Sequence, residues 1–302
     1  MLKTLHFQNF KSWKDAKVEC APITGFFGTN SSGKTSLLQF LLMLKQTKDG
    51  TDRAISLDLN GDLVQLGTIT DAVHQHDESM TLSWDLEFLL NSELTIVDAS
   101  KVPPTTISRS DRLRIASANV VQGGAPRATR LSYELGDLIF QLAPKSEQTS
   151  QFELTCLRTD GEASDFHFIR TLGRAWRLPG PIKSYAFPDQ ARTYFQNAAF
   201  LADLEASYEQ QLDNIYYLGP LRHYPQRDYL WTRSRPTDVG AQGEKAIDAI
   251  LAATQDGLTR NLKWKSKHMS FQEMVAYWLR EMGLIQEFKV EEIAKNSNRG
   301  EA

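Results

Sequence analysis

Cysteine is nearly missing from this chain. Cys20 and Cys156 are the only two in 302 residues, and they lack metal-ligand spacing and any secretory context. A disulfide framework or zinc site is therefore disfavoured, and both read as reduced packing residues. Long apolar runs are also missing: Leu37 to Leu44 falls far short of the roughly 20 residues that cross a bilayer, and no charged segment precedes an early apolar one. These absences give the expectation of a cytoplasmic protein with no membrane partner. An excess of positive charge is lacking too, since 34 Lys and Arg against 37 Asp and Glu leave a formal charge of −3. That argues against nonspecific nucleic-acid binding by the chain as a whole. No internal repeat is visible, nor the clustered Asp, Glu and Lys of a nuclease metal site. What remains is an ordinary globular composition, 41% hydrophobic and 24% charged, with length for one large domain or two smaller ones.

The chemistry that is present sits in "TGFFGTNSSGKTSLLQFLL", residues 24–42. The apolar run Ile23 to Phe27 reads as a buried strand, and the apolar residues from Leu37 to Leu44 read as a helix beginning near Thr35. Between them, Gly28, Thr29, Asn30, Ser31, Ser32, Gly33, Lys34 and Thr35 spell G-x-x-x-x-G-K-[ST], the phosphate loop in its strand-before, helix-after context. The two glycines permit backbone angles and approaches that a side chain would forbid, so successive N–H groups can turn onto a phosphate. The helix start, through Ser36, adds unpaired donors and the positive end of its dipole. Lys34 is expected to reach the β- and γ-phosphates of ATP, and the Thr35 hydroxyl to ligate Mg²⁺.

Around this loop the pattern predicts mainly strands. "LKTLHFQNFKSW" and "AKVECAPITGFFG" give an antiparallel lead-in. Asn60-Gly61 predicts a hairpin within 54–73. "MTLSWDLEFLL" and "LTIVDAS" read as two strands turning at Asn91-Ser92. Residues 99–128, with Pro103-Pro104 and Gly123-Gly124, read as loop or insertion. Strands resume at 129–143 and 152–158, a helix is expected near Ala198 to Leu212, and "NIYYLGP" reads as a short strand. "VGAQGEKAIDAILAATQ" enters a helix. Ser270 and Glu273 form a capping box for the helix "FQEMVAYWLREM", which Gly283 can end, and "QEFKVEEIA" looks like the start of a strand. Two arginine clusters stand out: Arg109, Arg112, Arg114, Arg127 and Arg130, and then Arg222, Arg227, Arg233 and Arg235 among His223, Tyr224, Tyr229 and Trp231. Arginine with interleaved aromatics suits phosphate contacts and base stacking. A solvated face or internal ion pairs is the preferred reading.

"LHFQNFKSWKDA" followed by "GTNSSGKTSLL" resembles the SMC/RecF/OLD-like ABC-type ATPases of bacteria. With "LGTITDAVHQHD", "YLGPLRHYPQRDY" and "DVGAQGE", the chain is similar over most of its length to a family of AAA ATPases in that group. The resemblance implies an α/β P-loop NTPase fold of ABC/SMC-like type, with an antiparallel strand-rich N-terminal lobe at residues 1–98, a mixed α/β insertion at 99–214, and a return to the ATPase core at 215–302. It implies nucleotide contacts from Lys11 and Ser12 on the lead strand, and a Gln near Mg²⁺ and the γ-phosphate, for which Gln65 is chosen and Gln75 is next. It also implies a homodimer through the ATPase head, DNA or an effector nuclease as partner, and a role in phage defence or DNA repair. The chain departs from the pattern in lacking a recognisable signature loop, Walker B strand, catalytic Glu and switch His, so its catalytic residues are unassigned. "LTIVDAS" ends in Asp98 but comes too early and lacks a following Glu. "GAQGE" is only superficially similar to a signature loop. In the resembled family these elements come after the point where this chain ends, which implies a truncated chain that binds ATP without efficient turnover. The alternatives are a noncatalytic nucleotide-binding interaction module and a P-loop kinase acting on a small molecule.

Overall fold

In the computed structural model the described residues are 1–146, 151–173, 177–226, 228–261 and 268–291. They divide into two units, Met1–Ile215 and Tyr216–Ala302. The first is built on a seven-stranded antiparallel sheet: β1 (Leu2–Phe10), β2 (Trp13–Glu19), β3 (Leu82–Asp98), β4 (Thr105–Gln122), β5 (Ala125–Leu135), β6 (Leu138–Pro144) and β7 (Phe152–Arg158), in the spatial order β2-β1-β3-β4-β5-β6-β7. Its helices are α1 (Lys34–Asp49), the single turn α2 (Ile69–Ala72), α3 (Asp189–Tyr194) and α4 (Leu201–Asp213).

Alternation explains the sheet. In β3 Leu82, Trp84, Leu86 and Phe88 point to one face and are buried, while Ser83, Asp85 and Glu87 point to the other. An antiparallel sheet with one covered face has this period of two. On the covered face, Phe40 of α1 stacks on Phe7 with ring centroids 4.4 Å apart and meets Phe10 edge-on at 5.1 Å. Tyr208 of α4 lies against Trp84, Phe88 and Tyr133. The opposite face carries charge in cross-strand pairs: Arg114 makes a two-pronged contact with Asp85 (2.8 and 2.6 Å), Arg112 reaches Glu87 at 2.8 Å, and Arg109 reaches Glu93 at 3.3 Å. Three arginines of the first cluster are thus internal ion pairs.

Several expected elements differ. Residues 99–128 are not a loop: β4 is a central strand, and Gly123 and Gly124, at φ 63° and 74°, form its turn into β5. Both glycines take the left-handed backbone that a tight hairpin turn demands. Asn91-Ser92 is not a turn either; β3 runs through, with a register shift between Leu89 and Leu94 that absorbs the extra residues as a bulge. Asn60-Gly61 heads a short turn rather than a ladder, with an isolated bridge from Asn60 to Gln65 and backbone bonds from Gly61 N–H to Val64 and from Leu66 N–H to Leu59. The Gln46 side chain takes the place of a strand partner there: it accepts from the Val64 N–H and donates to the carbonyls of Val64 and Asp58.

The second unit contains α5 (Ala246–Gln255), the short pair β8 (Thr259–Asn261) and β9 (His268–Ser270), and α6 (Phe271–Glu281). The capping box of α6 is present, with Ser270 and Glu273 each bonding the other's backbone N–H. "NIYYLGP" forms no strand, and Tyr216 and Leu218 are exposed. Residues 286–291 are not a strand, and 292–294 of that expected element lie outside the described residues, as does Arg227. No described helix is long and apolar enough to cross a membrane.

Candidate nucleotide site

The phosphate loop runs from Gly28 to the start of α1. Its backbone conformations are those that a phosphate cradle requires: Gly28, Ser31 and Gly33 have φ of 151°, 64° and 84°. Gly33 is also fixed by contact, because a Cβ there would come within 2.4 Å of Ser12 Oγ and 2.8 Å of Trp13 Nε1. The Trp13 indole donates to the Gly33 carbonyl at 3.0 Å. The tip of the β1–β2 hairpin therefore packs directly on the loop, which places Ser12 at its glycine. Lys11, at φ 50°, is tied down by its backbone: its N–H donates to the Ala72 carbonyl at 2.8 Å, and its carbonyl lies 2.9 Å from His74 Nδ1.

Lys34 lies across the loop. Its Nζ donates to the carbonyls of Gly28 at 2.8 Å and Thr29 at 2.6 Å, with Ser32 Oγ at 3.3 Å. Among the described residues, no acceptor is bonded to the backbone N–H groups of Gly28 to Thr35, and the N-cap of α1 has no side-chain cap. Those donors, with an ammonium beside them at a helix start, are what a phosphate chain needs. Thr29, Asn30, Ser31 and Ser32 are exposed, as is Thr35, so a cation could reach the Thr35 hydroxyl. Ser36 is different: it is buried, and its N–H already donates to the Gly33 carbonyl at 3.0 Å. The residues present therefore fit Mg-ATP, with Lys34 and the loop N–H groups for the phosphates and Thr35 for the metal.

The two glutamines are placed very differently. Gln65 adjoins Val64, which is clamped by Gln46, and Gln46 lies about three turns along α1 from Thr35, roughly 16 Å at the helical rise. Gln75, at φ 55°, sits in the short 3-10 turn His74–His76, beside the residue that binds the Lys11 carbonyl at the hairpin tip.

Two acids considered from the sequence serve other purposes. Asp98 closes a turn at the end of β3: it is buried, accepts from the Ser100 N–H at 3.0 Å, and lies 3.8 Å from Lys101. Glu244 of "GAQGE" folds onto its own loop, where its own backbone N–H and that of Gln242, at 2.9 Å, hold its carboxyl below the usual glutamate range. Among the described residues neither Lys34 nor Thr35 has a carboxylate partner, and no group of three or more His, Cys, Asp or Glu forms a metal site.

The expected strand at residues 23–27 is absent. Among the described residues no backbone group of Ile23 to Phe27 bonds to another backbone group, and Ile23 and Phe27 are 92% and 93% exposed. The ladder ends where Cys20 donates to the Lys3 carbonyl. Beyond it, Thr24 Oγ1 accepts from the Ala21 N–H in a local turn, and Pro22 has no N–H to offer a neighbour.

The loop and its setting agree with comparison to known proteins. A family model described as "AAA ATPase domain" matches residues 1–221. The chain belongs to the AAA ATPase domain family. Its fold is accordingly that of a P-loop NTPase, a mixed α/β structure carrying a large antiparallel sheet. Among solved structures, one from a study of ATP-driven dimerization and DNA-stimulated activation of SMC ATPases is 19% identical, covers 45% of this chain and 69% of its own, and superposes with a TM-score of 0.24. No curated protein matches the chain.

Proposed function

We propose that this AAA ATPase domain is a nucleotide-driven switch of the SMC/RecF/OLD-like class that grips Mg-ATP with Gly28 to Thr35 and works in the cytoplasm, in phage defence or DNA repair. The observation that carries the reading is the set of unbonded N–H donors from Gly28 to Thr35 beneath the Lys34 ammonium. Lys34 would exchange its carbonyl partners for β- and γ-phosphate oxygens, Gly33 keeps the loop closed against Ser12 and Trp13, and Thr35 would hold the metal. A Mg²⁺ held at Thr35 would supply neutralisation of the phosphate charge. Gln75 is the glutamine we assign to the γ-phosphate side, in preference to Gln65.

Phosphoryl transfer also needs an acid at the metal and a group that orients water. With no carboxylate on Lys34 or Thr35 among the described residues, we infer that these 302 residues bind ATP and turn it over slowly. A homodimer through the ATPase head, acting with DNA or an effector nuclease, completes the proposal. Two measurements on residues 1–302 test it. Titration with a fluorescent ATP analogue is expected to show a hundredfold or greater loss of affinity for Lys34→Ala; equal binding refutes the site. Steady-state phosphate release is expected near background. A rate near one per second, abolished by Lys34→Ala, would show that the catalytic acid lies within this chain.

A further inference from the structure

At the far edge of the sheet, β7 floors a cavity of about 700 Å³. That is the volume of a small-molecule pocket rather than a surface dimple. It lies five strand spacings from β1, whose hairpin touches the phosphate loop, or roughly 24 Å at 4.8 Å per strand.

Its charge is mainly positive. Six arginines elsewhere in this unit are paired with acids: Arg53 with Asp189, Arg109 with Glu93, Arg112 with Glu87, Arg114 with Asp85, Arg158 with Asp137 and Arg192 with Glu205. Around the cavity stand Lys145, Arg170 and Arg177, all exposed and none with an ion-pair partner among the described residues. Glu153 is the one carboxylate among its described lining residues. Three cations against one carboxylate around a single concavity give it a local excess of positive charge.

Its walls are aromatic. The Phe152 ring packs so closely on Gly180 that a Cβ there would come within 2.8 Å of it. The Arg170 guanidinium lies 5.0 Å above the Tyr194 ring, and Phe168 sits 5.3 Å from Phe195. A guanidinium already stacked on tyrosine offers its other plane to a flat ring, while Lys145 and Arg177 stay free for an anion. A nucleotide joins such an anion to a flat ring.

We propose that this cavity is a second nucleotide site, separate from the phosphate loop, in which Lys145 and Arg177 take a phosphate and the Arg170–Tyr194 pair stacks a base. The cavity offers side-chain cations and no glycine-rich backbone cradle. It therefore suits a single phosphate, either of a free nucleoside monophosphate or of one nucleotide in a single strand. This inference does not depend on the ATP reading.

The test uses the full chain carrying Lys34→Ala, so that the phosphate loop is disabled, with AMP and a fluorescein-labelled dT12 as probes. Binding is followed by calorimetry and by anisotropy at low salt. The background variant is expected to bind, and adding Lys145→Ala, Arg170→Ala and Arg177→Ala is expected to weaken binding at least tenfold. Arg109→Ala with Arg112→Ala, on the ion-paired face, is expected to change it less than twofold. AMP binding comparable to dT12 identifies a free-nucleotide site; dT12 binding alone, with a steep salt dependence, identifies a site for a strand. The proposal is overturned if neither probe binds, or if the triple substitution leaves binding unchanged while circular dichroism shows the fold intact.

Discussion

Two apolar stretches flank the phosphate loop and end in opposite surroundings. On the helix side, Leu37, Phe40, Leu42, Met43 and Leu44 are buried, Phe40 completely. On the other side, Ile23 and Phe27 stand almost fully in solvent. Their hydrophobicity is similar, so it cannot account for the difference. α1 has partners: Phe7 and Phe10 receive Phe40, Lys45 Nζ donates to the Leu212 carbonyl at the end of α4 at 3.0 Å, and Lys183 Nζ donates to the Lys48 and Gly50 carbonyls at the end of α1. The stretch 23–27 has no backbone partner among the described residues. An apolar pattern states a demand for burial, and the tertiary fold decides whether it is met.

The largest test of this contrast is Phe40→Ala. Removing a ring stacked between Phe7 and Phe10 leaves a cavity where the helix meets the sheet, and large-to-small core changes of this type cost about 3–5 kcal/mol. Urea denaturation is expected to show a loss of that size. A loss below about 1 kcal/mol would mean that α1 is held by its end contacts rather than by its face.

A smaller effect reports on those end contacts. Lys183 belongs to the segment leading into α3, and α4 holds that segment through Glu205, which is buried, accepts from the Phe187 N–H at 2.7 Å and pairs with Arg192. Burial raises the Glu205 carboxyl above the usual glutamate value, although Arg192 pulls the other way. A raised folded-state value means that the native state holds its proton more tightly. The Glu205 contribution is then full below the unfolded value, near pH 4, and is lost as pH rises through the folded one. The stability advantage of the parent over Glu205→Gln is expected to shrink between pH 4 and 8. An advantage that grows with pH would show that attraction to Arg192 outweighs burial.

Much of this framework was legible in the sequence where a local pattern and a local partner coincide. The β1–β2 hairpin, α1 after Gly33-Lys34, β5 to β7, α4, and the capping box of α6 are such cases. β4 was hidden because Arg112 and Arg114 alternate with Leu113 and Ile115, so a strand with a charged outer face looked like a polar insertion. Gln46 replacing a strand partner at Val64 was equally invisible, since nothing in Asn60-Gly61 announces a distant side chain. At the phosphate loop the glycines and Lys34 could be read directly, whereas the approach of Ser12 and Trp13 to Gly33 needed the fold. The cations at Lys145, Arg170 and Arg177 are too scattered along the chain to form any motif, and only the edge of the sheet gathers them.

The smallest expected effect is the most direct test of the exposed side. Ile23→Ser combined with Phe27→Ser removes two large apolar groups that are 92% and 93% exposed, so almost no buried area is lost. Substitutions at such positions fall within about 0.5 kcal/mol, and that is the expected change in unfolding free energy for residues 1–302. The same pair of substitutions placed at Leu42 and Leu44, which are 3% and 2% exposed, should cost several kcal/mol, as large-to-small changes in a packed core do. If the exposed pair instead costs 2 kcal/mol or more, and the cost grows with protein concentration, residues 23–27 are buried in solution against a second copy of the chain. The contrast drawn above would then describe the isolated chain, with both apolar stretches satisfied in the assembly.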